Sequence, residues 1–169
     1  MRVRVSDIPD EGIRLHEPAD LGEVFAEDGW TLDRVDLSIV RQGGEVAVAG
    51  SFGVTARLTC SRCLEPLSAT VAPEVDLCLK PCPTAHEEVE LGRDDLEVDF
   101  YREDTLDVTG LVRSEAELAL PMKPLCRADC RGLCPTCGTN RNLTSCGCEA
   151  RWIDPRLAPL EALKSRLTD

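Results

Sequence analysis

The chain has 169 residues, a net charge of −12 and a pI near 4.6; 43% of its residues are hydrophobic but only 4% are aromatic. That length supports one domain, or one domain with a small module, built around Val, Leu and Ala rather than rings. The acidic balance argues against holding nucleic acid by overall charge, and no window approaches the roughly 18 apolar residues of a membrane span.

The opening MRVRVSDIPDEG has no apolar run and no cleavage site, so no secretory signal is expected and a cytoplasmic location is. Arg2-Val3-Arg4-Val5 alternates and reads as a short strand. Leu21, Val24 and Phe25 stand at helical spacing and predict a short helix within residues 16–30. From Leu32 the period changes to two: Val35, Leu37 and Ile39 alternate with polar neighbours, Gln42-Gly43-Gly44 turns the chain, and Val46 and Val48 resume. This is a β-hairpin signature. Phe52, Val54, Ala56 and Leu58 continue as a strand into Cys60-Ser61-Arg62-Cys63, and further strands are predicted over 67–71 and 75–79. The first CxxC therefore falls at a hairpin tip.

Between Glu87 and Asp107 the chain carries ten acidic and two basic residues, which predicts a solvated acidic loop or edge. Val98 and Phe100 fit a short strand inside it. As a functional surface the same stretch would suit a basic protein partner. His16 and His86 have no ligand-spaced neighbours other than Cys82 beside His86, and are read as surface residues. A helix is predicted near 107–120: Asp107 or Thr109 can cap it, Pro121 stops it, and Val108, Leu111, Val112, Leu118 and Ala119 give an apolar face with Glu115 beside it. A last helix is predicted from Asp154-Pro155, with Leu157, Leu160, Ala162, Leu163 and Leu167 along one side.

Between these helices lie six cysteines in 23 residues, from Cys126 to Cys148. Cys134-Pro135-Thr136-Cys137-Gly138 is a knuckle that can grip one ion from a single turn. Cys146 and Cys148 supply a second close pair, so these four form the first predicted site. Cys126 and Cys130 with the hairpin knuckle Cys60 and Cys63 are candidates for a second four-sulfur site, one that would clip the cysteine module to the β domain; the competing reading is that Cys126 and Cys130 are buried thiols, or exchange with a pair of the first site. Zinc, as one ion or two, is the expected metal; the CPxCG spacing alone does not separate it from mononuclear iron or an iron–sulfur cluster. Disulfides compete with this reading, but closely spaced pairs in a cytoplasmic chain favour metal. A redox CxxC opens a helix, whereas Pro66 and a strand follow Cys63, which argues against a thiol oxidoreductase. Cys78 and Cys82 receive no metal assignment; Cys78 reads as a core thiol.

The hairpin motif Cys60-Ser61-Arg62-Cys63-Leu64, the run Leu118 to Cys126, the run Cys130-Arg131-Gly132-Leu133-Cys134-Pro135-Thr136-Cys137-Gly138, and Asp154-Pro155-Arg156 leading to Leu160 and Leu163 together resemble DUF177, the YceD-like family. The resemblance spans roughly residues 2–165. It implies a bacterial, cytoplasmic protein needed for normal 23S rRNA accumulation, with plastid relatives and no established enzymatic activity. Asn140-Arg141-Asn142 falls where the family has an Asn-rich turn. Cys78 and Cys82 lie outside the family pattern.

The fold expected is α+β: a small antiparallel β domain with a helix over 1–120, and a Cys-rich zinc module with a C-terminal helix over 121–169. Residues 121–169 carry a charge of +3 and residues 1–120 a charge of −15. Lys123, Arg127, Arg131, Arg141 and Arg151 are the candidates for touching rRNA phosphates or a partner. The function expected is a non-catalytic factor in large-subunit biogenesis, binding a large-subunit ribosomal protein or a pre-50S particle. The alternatives are a stand-alone zinc-ribbon RNA-binding protein and, behind it, the thiol redox enzyme. Closed four-cysteine sites leave no coordination position for substrate, and the chain lacks the aromatic platforms used to read single-stranded RNA.

Overall fold

Strand β4 (Glu45–Thr59) is the axis of the sheet in a computed structural model of the chain. The structure describes residues 1–26, 29–82 and 98–148, with Arg156. In chain order the other elements are β1 (Arg2–Arg4), a 3₁₀ turn (Val5–Asp7), β2 (Ile13–Leu15), α1 (Pro18–Leu21), β3 (Thr31–Gln42), β5 (Pro66–Val71), β6 (Glu74–Pro81), β7 (Val98–Tyr101), β8 (Thr105–Asp107) and α2 (Val108–Ala119).

The alternation read in the sequence becomes the two faces of the sheet. Val35, Leu37 and Ile39 of β3 are buried, and so are Val46, Val48, Phe52, Val54 and Ala56 of β4. Gly50 holds the even position between Val48 and Phe52. Its φ is +140°, and a Cβ there would lie 2.0 Å from the carbonyl oxygen of Asp36, so no side chain fits where β3 crosses so closely. This lets one strand run unbroken for 15 residues.

β3 pairs antiparallel along one edge of β4, from Thr31 opposite Thr55 to Gln42 opposite Glu45. The other edge is shared: β6 pairs with Val46–Ser51 and β5 with Val54–Thr59. β2 extends the sheet beyond β3, and β7 extends it beyond β6. The sheet is mostly antiparallel, as expected, and the β6–β7 pair alone among these is parallel. β1 and β8 form a separate two-stranded sheet.

α2 begins where predicted, with Asp107 accepting a hydrogen bond from the Gly110 N–H at 3.0 Å, and it stops before Pro121. Its buried stripe is Val108, Val112 and Ala116. Leu118, expected on that face, is 78% exposed. At 3.6 residues per turn it sits roughly 120° from the centre of the stripe. The helix expected within 16–30 is a single turn, because Gly22 with φ +69° ends it; Leu21, Val24 and Phe25 are buried all the same. His16 is a surface residue, with Nδ1 3.3 Å from Asp36. His86, most of the acidic stretch and the helix predicted from Asp154 lie outside the described residues.

The chain divides into two compact units. One comprises Met1–Thr59 with Pro66–Pro124; the other joins Cys60–Glu65 to the chain from Leu125 onward. The apolar core, from Val5 through Phe52 to Ala116, belongs wholly to the first.

Candidate metal centres

Two turns of the smaller unit are built alike. In the first, which links β4 to β5 along the chain, the Cys60 N–H donates to the Glu65 carbonyl at 2.9 Å and the Leu64 N–H to the Cys60 carbonyl at 3.0 Å. In the second, the Cys134 N–H donates to the Thr139 carbonyl and the Gly138 N–H to the Cys134 carbonyl, both at 2.9 Å. Each turn needs a left-handed residue after its second cysteine. Gly138 supplies it at φ +73°, while Leu64 supplies it at φ +60°. Such a turn leaves the backbone N–H groups inside it directed at the first sulfur.

The structure gathers eight cysteines into two groups, Cys60 with Cys63, Cys126 and Cys130, and Cys134 with Cys137, Cys146 and Cys148. Within each group all sulfurs lie within 4.8 Å of one another. The Cys60 and Cys130 sulfurs are 3.8 Å apart, and those of Cys63 and Cys126 are 3.6 Å apart. A tetrahedron with arms of about 2.3 Å has edges of about 3.8 Å, whereas a disulfide needs about 2.05 Å. These spacings fit a tetrahedral ion, and all ten cysteines are free thiols.

The electrostatics of each group also suit a cation. The Cys60 thiol is pulled down to about 6, first by the Cys63 N–H and then by the Cys126 N–H. The Cys137 and Thr136 N–H groups bring Cys134 down to about 6. Cys130 and Cys137 are also lowered, whereas the other two thiols of each group move the opposite way. Loss of water around the sulfur, then the neighbouring sulfur of Cys63, push Cys126 up to about 12; the Cys137 sulfur, then burial, do the same for Cys148. In each group two thiols are favoured as thiolates by hydrogen bonds and the other two resist ionising beside them, a repulsion that a positive ion would offset.

The two groups differ in shelter. Cys60, Cys63 and Cys130 are buried and Cys126 is exposed, while in the other group only Cys134 is buried and Cys137 is exposed. Around the first group the Arg62 guanidinium donates to the Cys130 carbonyl at 2.9 Å, and the Leu133 N–H donates to the Arg62 carbonyl at 3.0 Å. Gly132 passes so close that a Cβ would meet that carbonyl at 2.9 Å, which explains the glycine before Leu133. Asn142 donates from Nδ2 to the Cys130 sulfur at 3.3 Å, and Asn140 donates from Nδ2 to Glu65 at 3.2 Å.

Of these surrounding residues Arg62, Gly132, Leu133 and the Asn140–Asn142 turn stand in stretches that the resemblance picked out, and Glu65 does not. Of the basic candidates, Lys123, Arg127, Arg131 and Arg141 are exposed, and Arg127 faces Asp129 at 3.5 Å. Arg151 lies outside the described residues. Cys78 and Cys82 are half-buried and join neither group; the Cys78 thiol donates to Glu45 at 3.8 Å. Among the described residues no helix is long and apolar enough to cross a membrane.

A mixed, mostly antiparallel sheet unit, with a second unit built on two four-cysteine groups, defines an α+β protein able to hold metal. The chain belongs to the family described as Large ribosomal RNA subunit accumulation protein YceD, which matches residues 48–164 and so takes in both groups. Uncharacterized proteins of Mycobacterium tuberculosis and Mycobacterium bovis are each 32% identical to it over 148 residues, covering 86% of this chain and 69% of theirs. A maize protein named Large ribosomal RNA subunit accumulation protein YCED homolog 1, chloroplastic, is 26% identical, over 76% of this chain and 52% of its own. The Arabidopsis thaliana protein of the same name is 24% identical, over 79% and 49%. No solved structure matches the chain.

Proposed function

We propose that each four-cysteine group holds one structural zinc ion, and that the protein is a non-catalytic cytoplasmic factor supporting accumulation of the large-subunit rRNA. The family description names an accumulation function rather than a reaction. The observation that carries the structural half is the pair of sulfur separations, 3.6 and 3.8 Å, in a group whose four donors are all protein thiols. A site closed in this way shapes the chain and offers no position to a substrate. Cys60, Cys63, Cys126 and Cys130 bind one ion in this reading, and Cys134, Cys137, Cys146 and Cys148 the other.

The same chemistry bears on the partner. A divalent ion with four thiolates carries a formal charge of about −2. Two such sites outweigh the +3 of residues 121–169. Lys123, Arg127, Arg131 and Arg141 then act as local contacts rather than as a positive field, which favours a large-subunit ribosomal protein, with rRNA phosphates as the secondary contact.

Tagged protein purified from cells at two salt concentrations, followed by mass spectrometry and RNA profiling, tests this. One ribosomal protein or a pre-50S particle retained at both salts is the expected result. Recovery that tracks rRNA alone and falls steeply with salt would move the protein to the zinc-ribbon RNA-binding class. Metal content measured on the same material should be two zinc ions per chain, and one after Cys60→Ser.

A further inference from the structure

Asn142 stands between the two centres in a way the thiol spacing does not reveal. Its Oδ1 accepts from the Arg131 N–H at 2.8 Å, and its Nδ2 lies 3.3 Å from the Cys130 sulfur. A backbone N–H can only donate, so Oδ1 must face Arg131 and the amide must present its N–H to the sulfur.

The turn that carries Asn142 belongs to the other centre. Residues 139–145 run from Cys137-Gly138 to Cys146, so ligands of the Cys134 group close this loop at both ends. Inside the loop the Asn142 N–H donates to Asn140 Oδ1 at 3.0 Å, and the Leu143 and Thr144 N–H groups donate to the Asn140 carbonyl at 3.1 Å. The Arg141 N–H donates to the Gly132 carbonyl at 2.9 Å. An ion in the Cys134 group therefore fixes the backbone from which the Asn142 amide reaches Cys130.

Resting on the two-ion reading, we infer that Asn142 is a positioning residue that couples the two metal sites: filling the Cys134 group orders the amide that Cys130 needs, and tightens the Cys60 group. Because coupling between binding sites is reciprocal, an ion in the Cys60 group tightens the Cys134 group by the same factor. Outer partners of metal ligands are worth about 10–100-fold in affinity, which sets the size expected. Metal then loads as a pair, and chains with one ion are scarce.

The test uses the whole chain, zinc buffered by a competing chelator, and native mass spectrometry to resolve species with no, one and two ions. Asn142→Asp keeps the shape and the Arg131 contact but turns an oxygen toward the sulfur; Asn142→Ala removes both contacts. Both variants should accumulate the one-ion species at free zinc concentrations where the wild type holds two, with affinity at the Cys60 group falling about tenfold or more. Disabling the other centre with Cys146→Ser and Cys148→Ser should weaken the Cys60 group comparably, and Asn142→Asp should then add less than it does alone. Two ions bound by both Asn142 variants with one-ion populations like the wild type's, or fully additive effects, overturn the coupling and leave the two-ion reading standing. A wild type that never exceeds one ion overturns that reading itself.

Discussion

The two units of this chain reach order by different chemistry. In the larger unit, Val, Leu, Ile and Phe side chains from β3, β4, β6 and α2 fill one apolar core that contains no cysteine. In the smaller unit, the buried hydrophobic residues among those described are Cys60, Cys63, Cys130 and Cys134. One unit removes hydrocarbon from water; the other surrounds sulfur with backbone N–H groups and, among its described residues, leaves Leu64 and Leu143 outside, at 62% and 79% exposure, with Leu125 and Leu133 half-buried. The described part of the smaller unit buries little hydrocarbon, and a metal ion held by its thiolates would supply the order that burial does not.

Removing metal should break that contrast most sharply. Structural zinc contributes on the order of 10–16 kcal/mol per site in comparable small modules. A strong chelator should abolish hydrogen-exchange protection at Cys134, Gly138 and Arg141 while the β3–β4 ladder keeps its protection. Loss from both at once would show that the units do not differ in this way. The converse experiment is Phe52→Ala. Phe52 is fully buried in β4, and its truncation should cost about 3–5 kcal/mol of the larger unit's stability. Zinc bound per folded chain should not change. A metal content that falls with Phe52 would tie the centres to the apolar core.

How much was legible beforehand follows the same division. The β3–β4 hairpin and the helix start at Asp107 declared themselves because period-two alternation and an N-cap are local signals. The cysteine pairs were visible as pairs for the same reason, since each knuckle is a few residues long. The parallel β6–β7 pairing was not, because its two strands are joined through residues 83–97 and nothing local sets their direction. The role of Asn142 was also hidden: its partner Cys130 is twelve residues away, and only the folded turn brings the amide to the sulfur. Leu118 misled because apolar character was counted without its angle around α2.

The two knuckles offer a finer comparison inside the smaller unit. Left-handed backbone costs a non-glycine residue roughly 1–2 kcal/mol. Leu64 bears that cost in the first turn, and Gly138 avoids it in the second, where a Cβ would meet nothing within 4 Å. Gly138→Ala should therefore destabilise the metal-bound unit by about 1–2 kcal/mol through the backbone alone. Leu64→Gly should change it by less than about 1 kcal/mol, because relief of strain is offset by the greater freedom of glycine in the unfolded chain. Unfolding midpoints with metal in excess measure both. Equal losses for the two changes would mean that the Leu64 side chain contributes by packing that outweighs its strain.

An effect of similar size isolates charge in the larger unit. The Asp107 carboxylate accepts from the Gly110 N–H at 3.0 Å and from Arg2 at 3.3 Å, and these, in that order among the favourable contacts, hold its pKa below the ordinary carboxylate value. A group whose pKa is lower in the folded than in the unfolded state stabilises fully above the unfolded value and loses that contribution as pH falls through the folded one. Asp107→Ala should thus cost about 1 kcal/mol near neutral pH, from the lost cap more than from the Arg2 pair, which is exposed and screened by solvent. The gap between variant and wild type should narrow only below about pH 4, where the unfolded carboxyl begins to hold its proton. Thermal melts across that range, followed by a probe of the β sheet, read the effect. A gap that stays constant to pH 2 would mean that Asp107 supports α2 through shape rather than charge; one that closes at pH 6 would assign the effect to a group other than this carboxylate.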